Sequence, residues 1–124
     1  MNQAQASVKV KMSYNGNELV IRLLDNPVAA DFATLLPLDL AFEDFNRVEK
    51  IAYLPRRLST SQNPDSAETA ADFGYFAPWG NIGVFYDGFG GGDEEFYFLG
   101  IIESGKEKLA EASSDFRARL EILE

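Results

Sequence analysis

Residues 7–23, SVKVKMSYNGNELVIRL, decide the class of fold. Val8, Val10, Met12 and Tyr14 alternate with Ser7, Lys9, Lys11 and Ser13. A period of two puts one set of side chains on each face of a half-buried strand. Asn15-Gly16 follows, the pair that accepts the left-handed backbone angles of a two-residue type I′ turn. A second strand resumes at Glu18 with Leu19, Ile21 and Leu23 on one face. The segment predicts a tight antiparallel hairpin.

Working outward, Asn26 suits a helix cap and Pro27 its first turn, where the missing N–H leaves nothing unsatisfied. Val28, Phe32, Leu35 and Leu36 form the apolar stripe of a helix that Pro37 stops. Leu38, Leu40 and Phe42 alternate with Asp39, Ala41 and Glu43 in a third strand, and Lys50 to Leu54 is a short fourth one. Ser59 to Asp72 lacks any period and is expected to be a long surface loop. Phe73 to Ala77 and Ile82 to Tyr86 are aromatic strands on either side of a Pro78-Trp79-Gly80-Asn81 turn.

Asp87 to Glu95 is a Gly-rich loop, and Phe96 to Glu103 another strand. Ser104 and Glu107 have the spacing of a capping box, so a second helix is expected there. Phe116, Ala118, Leu120 and Ile122 alternate in a last strand. The tally is seven or eight strands and two short helices. Amphipathic first and last strands suit a closed barrel, which has no free edges.

The 124 residues are expected to form one domain over 1–124, with residues 1–6 disordered. A hydrophobic content of 46% is enough for a core without staples. The net charge of −9, from 20 acidic and 11 basic residues, excludes the basic stripe that nucleic acid or an anionic membrane surface would need. Neither Cys nor His occurs, so thiol nucleophiles, thiolate metal sites and the usual neutral-pH base are all missing. No run approaches the length of a membrane helix, and residues 1–10 carry no signal pattern, so the expected location is cytoplasmic.

The order strand, tight turn, strand, capped helix resembles the opening of the cyclophilin fold. The ending FYFLGIIESGKEKLAEA, followed by a strand, is similar to the cyclophilin ending. The blocks DNPVAADFATLLPLDLAFEDF, EKIAYLPRRLS, DFGYFAPWGNIGVFY and LGIIESGKEKL resemble a bacterial cyclophilin-like domain family of uncharacterised function. The resemblance implies a mainly β protein, a closed eight-stranded cyclophilin-like barrel with two short helices over its ends. It implies no reaction. Cyclophilins isomerise proline peptides with an Arg beside a pocket of Phe, Gln, Trp and His, and that kit is not recognisable here. Trp79, the lone Trp, sits in the wrong segment, and Gln62 lies in the polar loop.

Other constellations fare no better. Gly88-Phe89-Gly90-Gly91-Gly92 leads into Asp93-Glu94-Glu95 rather than a helix, so it does not suit phosphate. The carboxylates Asp39, Glu43 and Asp44 lack calcium-loop spacing. Ser104 near Lys106 has a simpler use as a cap. No catalytic residue, metal or cofactor is assigned.

What remains is an aromatic and Arg set: Tyr53, Arg56, Arg57, Phe76 and Trp79, with Tyr75, Phe85 and Phe89 nearby. Alternation sends some of these inward, Phe73 and Phe85 among them. A Trp between Pro and Gly is either a lid on the barrel end or an exposed recognition side chain. Arg56 and Arg57 are adjacent on extended backbone and therefore point to opposite sides, so at most one faces the site and the other is solvated. Aromatics beside Arg suit a cleft for an anionic or planar ligand. The expected role is a binding module for a small molecule or a peptide segment. The alternatives are a weak or divergent prolyl isomerase or other enzyme, and a structural partner domain. The oligomeric state is not encoded in any of these features.

Overall fold

The alternation in the first hairpin becomes a barrel wall. In a computed structural model whose described residues are 8–60, 71–88, 95–112 and 114–123, β1 spans Lys9–Tyr14 and β2 spans Asn17–Leu23. Asn15 and Gly16 between them have φ of 49° and 79°, the mirror-image turn angles that the Asn-Gly pair favours. Val10, Met12, Leu19 and Ile21 are fully buried. The other strands are β3 (Leu38–Phe45), β4 (Glu49–Tyr53), β5 (Phe73–Phe76), β6 (Asn81–Phe85), β7 (Phe96–Ser104) and β8 (Phe116–Ile122).

These eight strands close in the order β1-β2-β7-β5-β6-β4-β3-β8, every neighbouring pair antiparallel. The mainly β barrel with two helices expected from the sequence is thus the observed architecture. Closure leaves no strand with a free row of N–H and C=O groups.

Each end of the barrel carries a helix. In α1 (Pro27–Ala33) the Asn26 Oδ1 accepts the Ala29 N–H at 2.8 Å, and the Asn26 amide donates to the Phe98 carbonyl at 3.0 Å. One residue therefore starts the helix and ties it to β7. Val28, Ala29 and Phe32 are buried, Phe32 edge-on to Phe73 at 5.4 Å. Each large apolar side chain so buried contributes roughly 1.5–3 kcal/mol. The helix stops at Ala33, short of the expected stripe, and Leu35 and Leu36 pack on the core from the turn that follows.

At the other end α2 (Lys106–Ala110) buries Leu109. Its cap differs from the expected one. Ser104 belongs to β7, opposite Val20, and Gly105 is the N-cap at φ 92° with no side-chain cap bond. A Cβ at Gly105 would collide with the Glu18 carbonyl, so the position takes glycine for both angle and space.

The expected loop between Ser59 and Asp72 is not all surface. Ala71 and Asp72 are buried, the Asp72 carboxylate accepting the Ile102 N–H at 2.7 Å and pairing with Lys106 at 2.7 Å. Residues 61–70, the Gly-rich stretch 89–94 and the N-terminal segment expected to be disordered lie outside the described residues.

Candidate functional site: an aromatic wall on the outside of the barrel

The two halves of the outer wall differ in chemistry. Across β1, β2 and β8 and parts of β7 and β3, outward charged side chains are paired: Lys9–Glu103 at 2.9 Å, Arg22–Glu103 at 3.5 Å, Lys11–Glu121 at 3.9 Å and Arg119–Asp39 at 3.0 Å. Around β4, β6 and β5 the outward side chains include the aromatic Tyr53, Phe76 and Phe85. The inward residues there are Ala52, Ile82, Val84, Phe73 and Tyr75, all in the core. Alternation therefore places Glu49, Ile51 and Tyr53 of β4, Asn81, Gly83 and Phe85 of β6, and Gly74 and Phe76 of β5 outside.

Trp79, in the turn of residues 77–80 between β5 and β6, folds back over this wall. It meets Phe45 and Phe76 edge-on, each at 5.6 Å, and stays 50% exposed. It is thus in contact with its neighbours and open to solvent at once. Tyr53, 51% exposed, stands opposite Asn81, and Asn81 stands opposite Phe76. The structure brings Tyr53, Phe76 and Trp79 to one end of the same face.

Phe73 takes the expected core position, but Phe85 does not. It is buried on the outer side, edge-on to Phe96 at 5.8 Å, and Phe96 in turn lies across Gly74 and meets Phe98 at 5.9 Å. An alternating strand cannot place both Val84 and Phe85 inside, and β6 spends its inward positions on Ile82 and Val84.

Arg56 and Arg57 diverge, and both are bonded within the chain. The Arg56 guanidinium grips the Asp31 carboxylate of α1, Nη1 to Oδ2 at 3.0 Å and Nη2 to Oδ1 at 2.9 Å. The Arg56 hydrogen bonds, the Ser59 N–H and Thr34 hold the Asp31 carboxyl down to about 2. Arg57 donates to the carbonyls of Ala77 at 2.5 Å and Pro78 at 3.5 Å, clamping the turn that carries Trp79. Both arginines therefore position backbone around the aromatic wall. Neither stands in solvent without a partner.

Sequence reasoning missed Glu49 and Phe45. They are directly opposite each other in the β3–β4 pair, and Glu49 is also opposite Phe85 in the β4–β6 pair. The Glu49 carboxylate lies over Gly83, in the space where a Cβ would be, with the Phe85 ring beside it. Burial alone pushes this carboxyl up to about 7. Nothing in the residue string marks which of 20 acidic residues will sit across from a glycine.

The profile of the Cyclophilin-like family matches residues 12–121. The chain belongs to the cyclophilin-like family. Among solved structures it is similar to a hypothetical protein from Archaeoglobus fulgidus, determined in solution. The two share 12% identity over 99% of this chain and 100% of the other, with a TM-score of 0.71. At that identity the likeness shows a common fold. No curated protein matches the chain. Among the described residues, no helix is long and apolar enough to cross a membrane.

Proposed function

We propose that this cyclophilin-like barrel is a binding module whose site is the aromatic outer wall around Trp79. It takes a small molecule or a peptide segment, without the proline isomerisation of cyclophilins. One observation carries the reading: Trp79 is half exposed yet held between Phe45 and Phe76 on the part of the wall where aromatic side chains cluster. An exposed aromatic cluster fixed by its own packing loses little side-chain entropy on binding, which is why Trp and Tyr dominate recognition surfaces. Arg57 supports the reading by fixing the Trp79 turn, and Arg56 by fixing the chain before it. Against isomerisation, the guanidinium groups of both are already spent on carbonyls and a carboxylate, and the chain has no His.

Trp79 is the sole Trp, so its fluorescence reports on the site alone. A screen of metabolites and short peptides, followed by amide-shift mapping, should move Tyr53, Phe76, Trp79 and their neighbours, and Trp79→Ala should abolish the response. Shifts that cluster on the charged half of the barrel, or full binding by Trp79→Ala, would overturn the reading. A coupled-protease assay on a proline tetrapeptide tests the second clause; a rate within about tenfold of a cyclophilin's would refute it.

A further inference from the structure

We propose that the Glu49 carboxylate, set over Gly83 between Phe45 and Phe85, is the recognition group for an organic ammonium ion, a protonated or quaternary amine. This rests on the aromatic wall being the binding site and names the ligand class it takes.

The geometry comes first. Phe45 of β3 and Phe85 of β6 are the cross-strand partners of Glu49 on its two sides. On one face of a sheet such partners have Cβ atoms about 5 Å apart, so both residues flank the Glu49 side chain, and the Phe85 ring lies at its carboxylate. Gly83, having no Cβ, leaves the space that the carboxylate occupies. The three strands that carry Phe45, Glu49 and Phe85 are together roughly 10 Å wide at the usual spacing, about the breadth of an ammonium head group. Phe45 continues the surface to Trp79, and Phe85 continues it to Phe96.

Among the described residues no donor or cation reaches Glu49. Only desolvation acts on its carboxyl, and Arg47 in the β3–β4 turn adds nothing. Elsewhere on the barrel the partly or fully buried acids are paired: Asp72 with Lys106, Asp44 with Lys50, Asp31 with Arg56. A carboxylate removed from water without a partner destabilises the free protein. An ammonium ion supplies the missing charge, and its alkyl surface meets the electron-rich rings that attract cations. Anions are repelled, and a lone carboxylate is too poor a ligand set for a metal. Further titratable groups around this face are Glu43 on β3, Tyr53 on β4, Asp87 just past β6 and Glu95 just before β7. The outward residues of β6 are Asn81, Gly83 and Phe85, none of which titrates. Cation binding should therefore tighten as pH rises through the titration of Glu49.

The test uses choline, its neutral carbon isostere 3,3-dimethyl-1-butanol, and acetyl-Gly-Lys-Gly-amide, each titrated while Trp79 fluorescence and the amide shifts of Glu49, Gly83 and Phe85 are followed. Choline or the lysine peptide should bind, the isostere about tenfold more weakly or worse, and Glu49→Gln should lose about tenfold for the cation alone. Whichever cation binds more tightly tells a free amine from a lysine side chain. Equal binding of choline and the isostere, or of the cations to Glu49→Gln, would overturn the ammonium assignment while leaving the wall as a site. Silence from all three probes overturns the assignment as well, and the wall itself then falls only if the metabolite and peptide screen is silent too.

Discussion

Arg56 and Asp31 form a two-pronged ion pair that joins the exit of β4 to helix α1, with contacts of 2.9 and 3.0 Å. Parallel N–H to O bonds of this kind fix orientation as well as charge. Asp31 has its folded pKa depressed to about 2 from 3.8, first by the Arg56 hydrogen bonds and then by the Ser59 N–H. A depressed acid stabilises the fold above its unfolded value and loses that contribution as pH falls through the folded one. The window is therefore about pH 4 down to about 2. In Arg56→Ala the NMR titration midpoint of Asp31 should rise toward the ordinary value. A midpoint that stays near 2 would show that the Ser59 N–H and Thr34 hold it without Arg56.

Arg57 predicts a different phenotype. Its bonds go to the Ala77 and Pro78 carbonyls, so it restrains the turn that carries Trp79 without touching a charge. Arg57→Ala should lower the fluorescence anisotropy of Trp79 and shift its emission to the red, with a small change in melting temperature. Binding at the aromatic wall should weaken by a factor of a few, less than for Trp79→Ala. Unchanged anisotropy would show that the Phe45 and Phe76 rings hold Trp79 unaided.

How much of this was legible in the sequence depended on the range of the interaction. The Asn15-Gly16 turn and the Asn26 cap are local chemistry, and both stand where the residues point. The alternating runs gave the strands, and with them the barrel. Ser104 misled because its capping spacing competes with a strand that needs Ser104 opposite Val20. Phe85 misled because an aromatic strand residue was equated with the core, whereas it is buried from outside. For the site, Tyr53, Phe76 and Trp79 share a face through their positions at strand ends around one turn. Glu49 was invisible because its setting comes from three strands far apart in sequence: Phe45, Gly83 and Phe85 become its neighbours only when the register is set.

Lys50 offers a test of buried charge. It points inward from β4 and is 2% exposed. Its ammonium donates to the Ala112 carbonyl at 2.6 Å, pairs with Asp44 at 3.1 Å and lies 5.3 Å from the Tyr86 ring. Lys50→Met keeps most of the volume but strands the Ala112 carbonyl and removes the cation from Asp44, which keeps its bonds from the Tyr86 hydroxyl and the Arg47 N–H, so it should lose about 1–3 kcal/mol. Lys50→Ala adds a cavity and should lose about 3–5 kcal/mol. The Tyr86 hydroxyl is the largest single cause of the depressed pKa of Asp44, and Lys50 lowers it by hydrogen bond and by charge. It should therefore rise only part of the way in Lys50→Met, and chemical denaturation with an NMR titration would read both effects. A Lys50→Met protein as stable as the wild type would show that this buried charge adds nothing to the fold.

Glu49 makes the pH dependence of stability run the opposite way from Asp31. Its folded pKa is raised, from 4.5 to about 7, by burial. An acid raised in this way favours the fold fully below its unfolded value, and the benefit is lost as pH rises through the folded one. Stability should thus fall between about pH 4.5 and 7. Each pKa unit is worth about 1.4 kcal/mol at most, and because the group is only half buried, solvent screening cuts the total to on the order of 1–2 kcal/mol. Glu49→Gln should remove this slope and be the more stable protein at pH 8. Gly83→Ala should do the same by another route. The added methyl takes the space of the carboxylate, and Glu49 is a long side chain that can swing out to water, so its pKa should return toward 4.5. Denaturant melts of the three proteins at pH 5 and pH 8 decide the matter. A wild-type slope that survives in both variants would mean that another group titrates, and that the Glu49 carboxylate is solvated rather than held over Gly83.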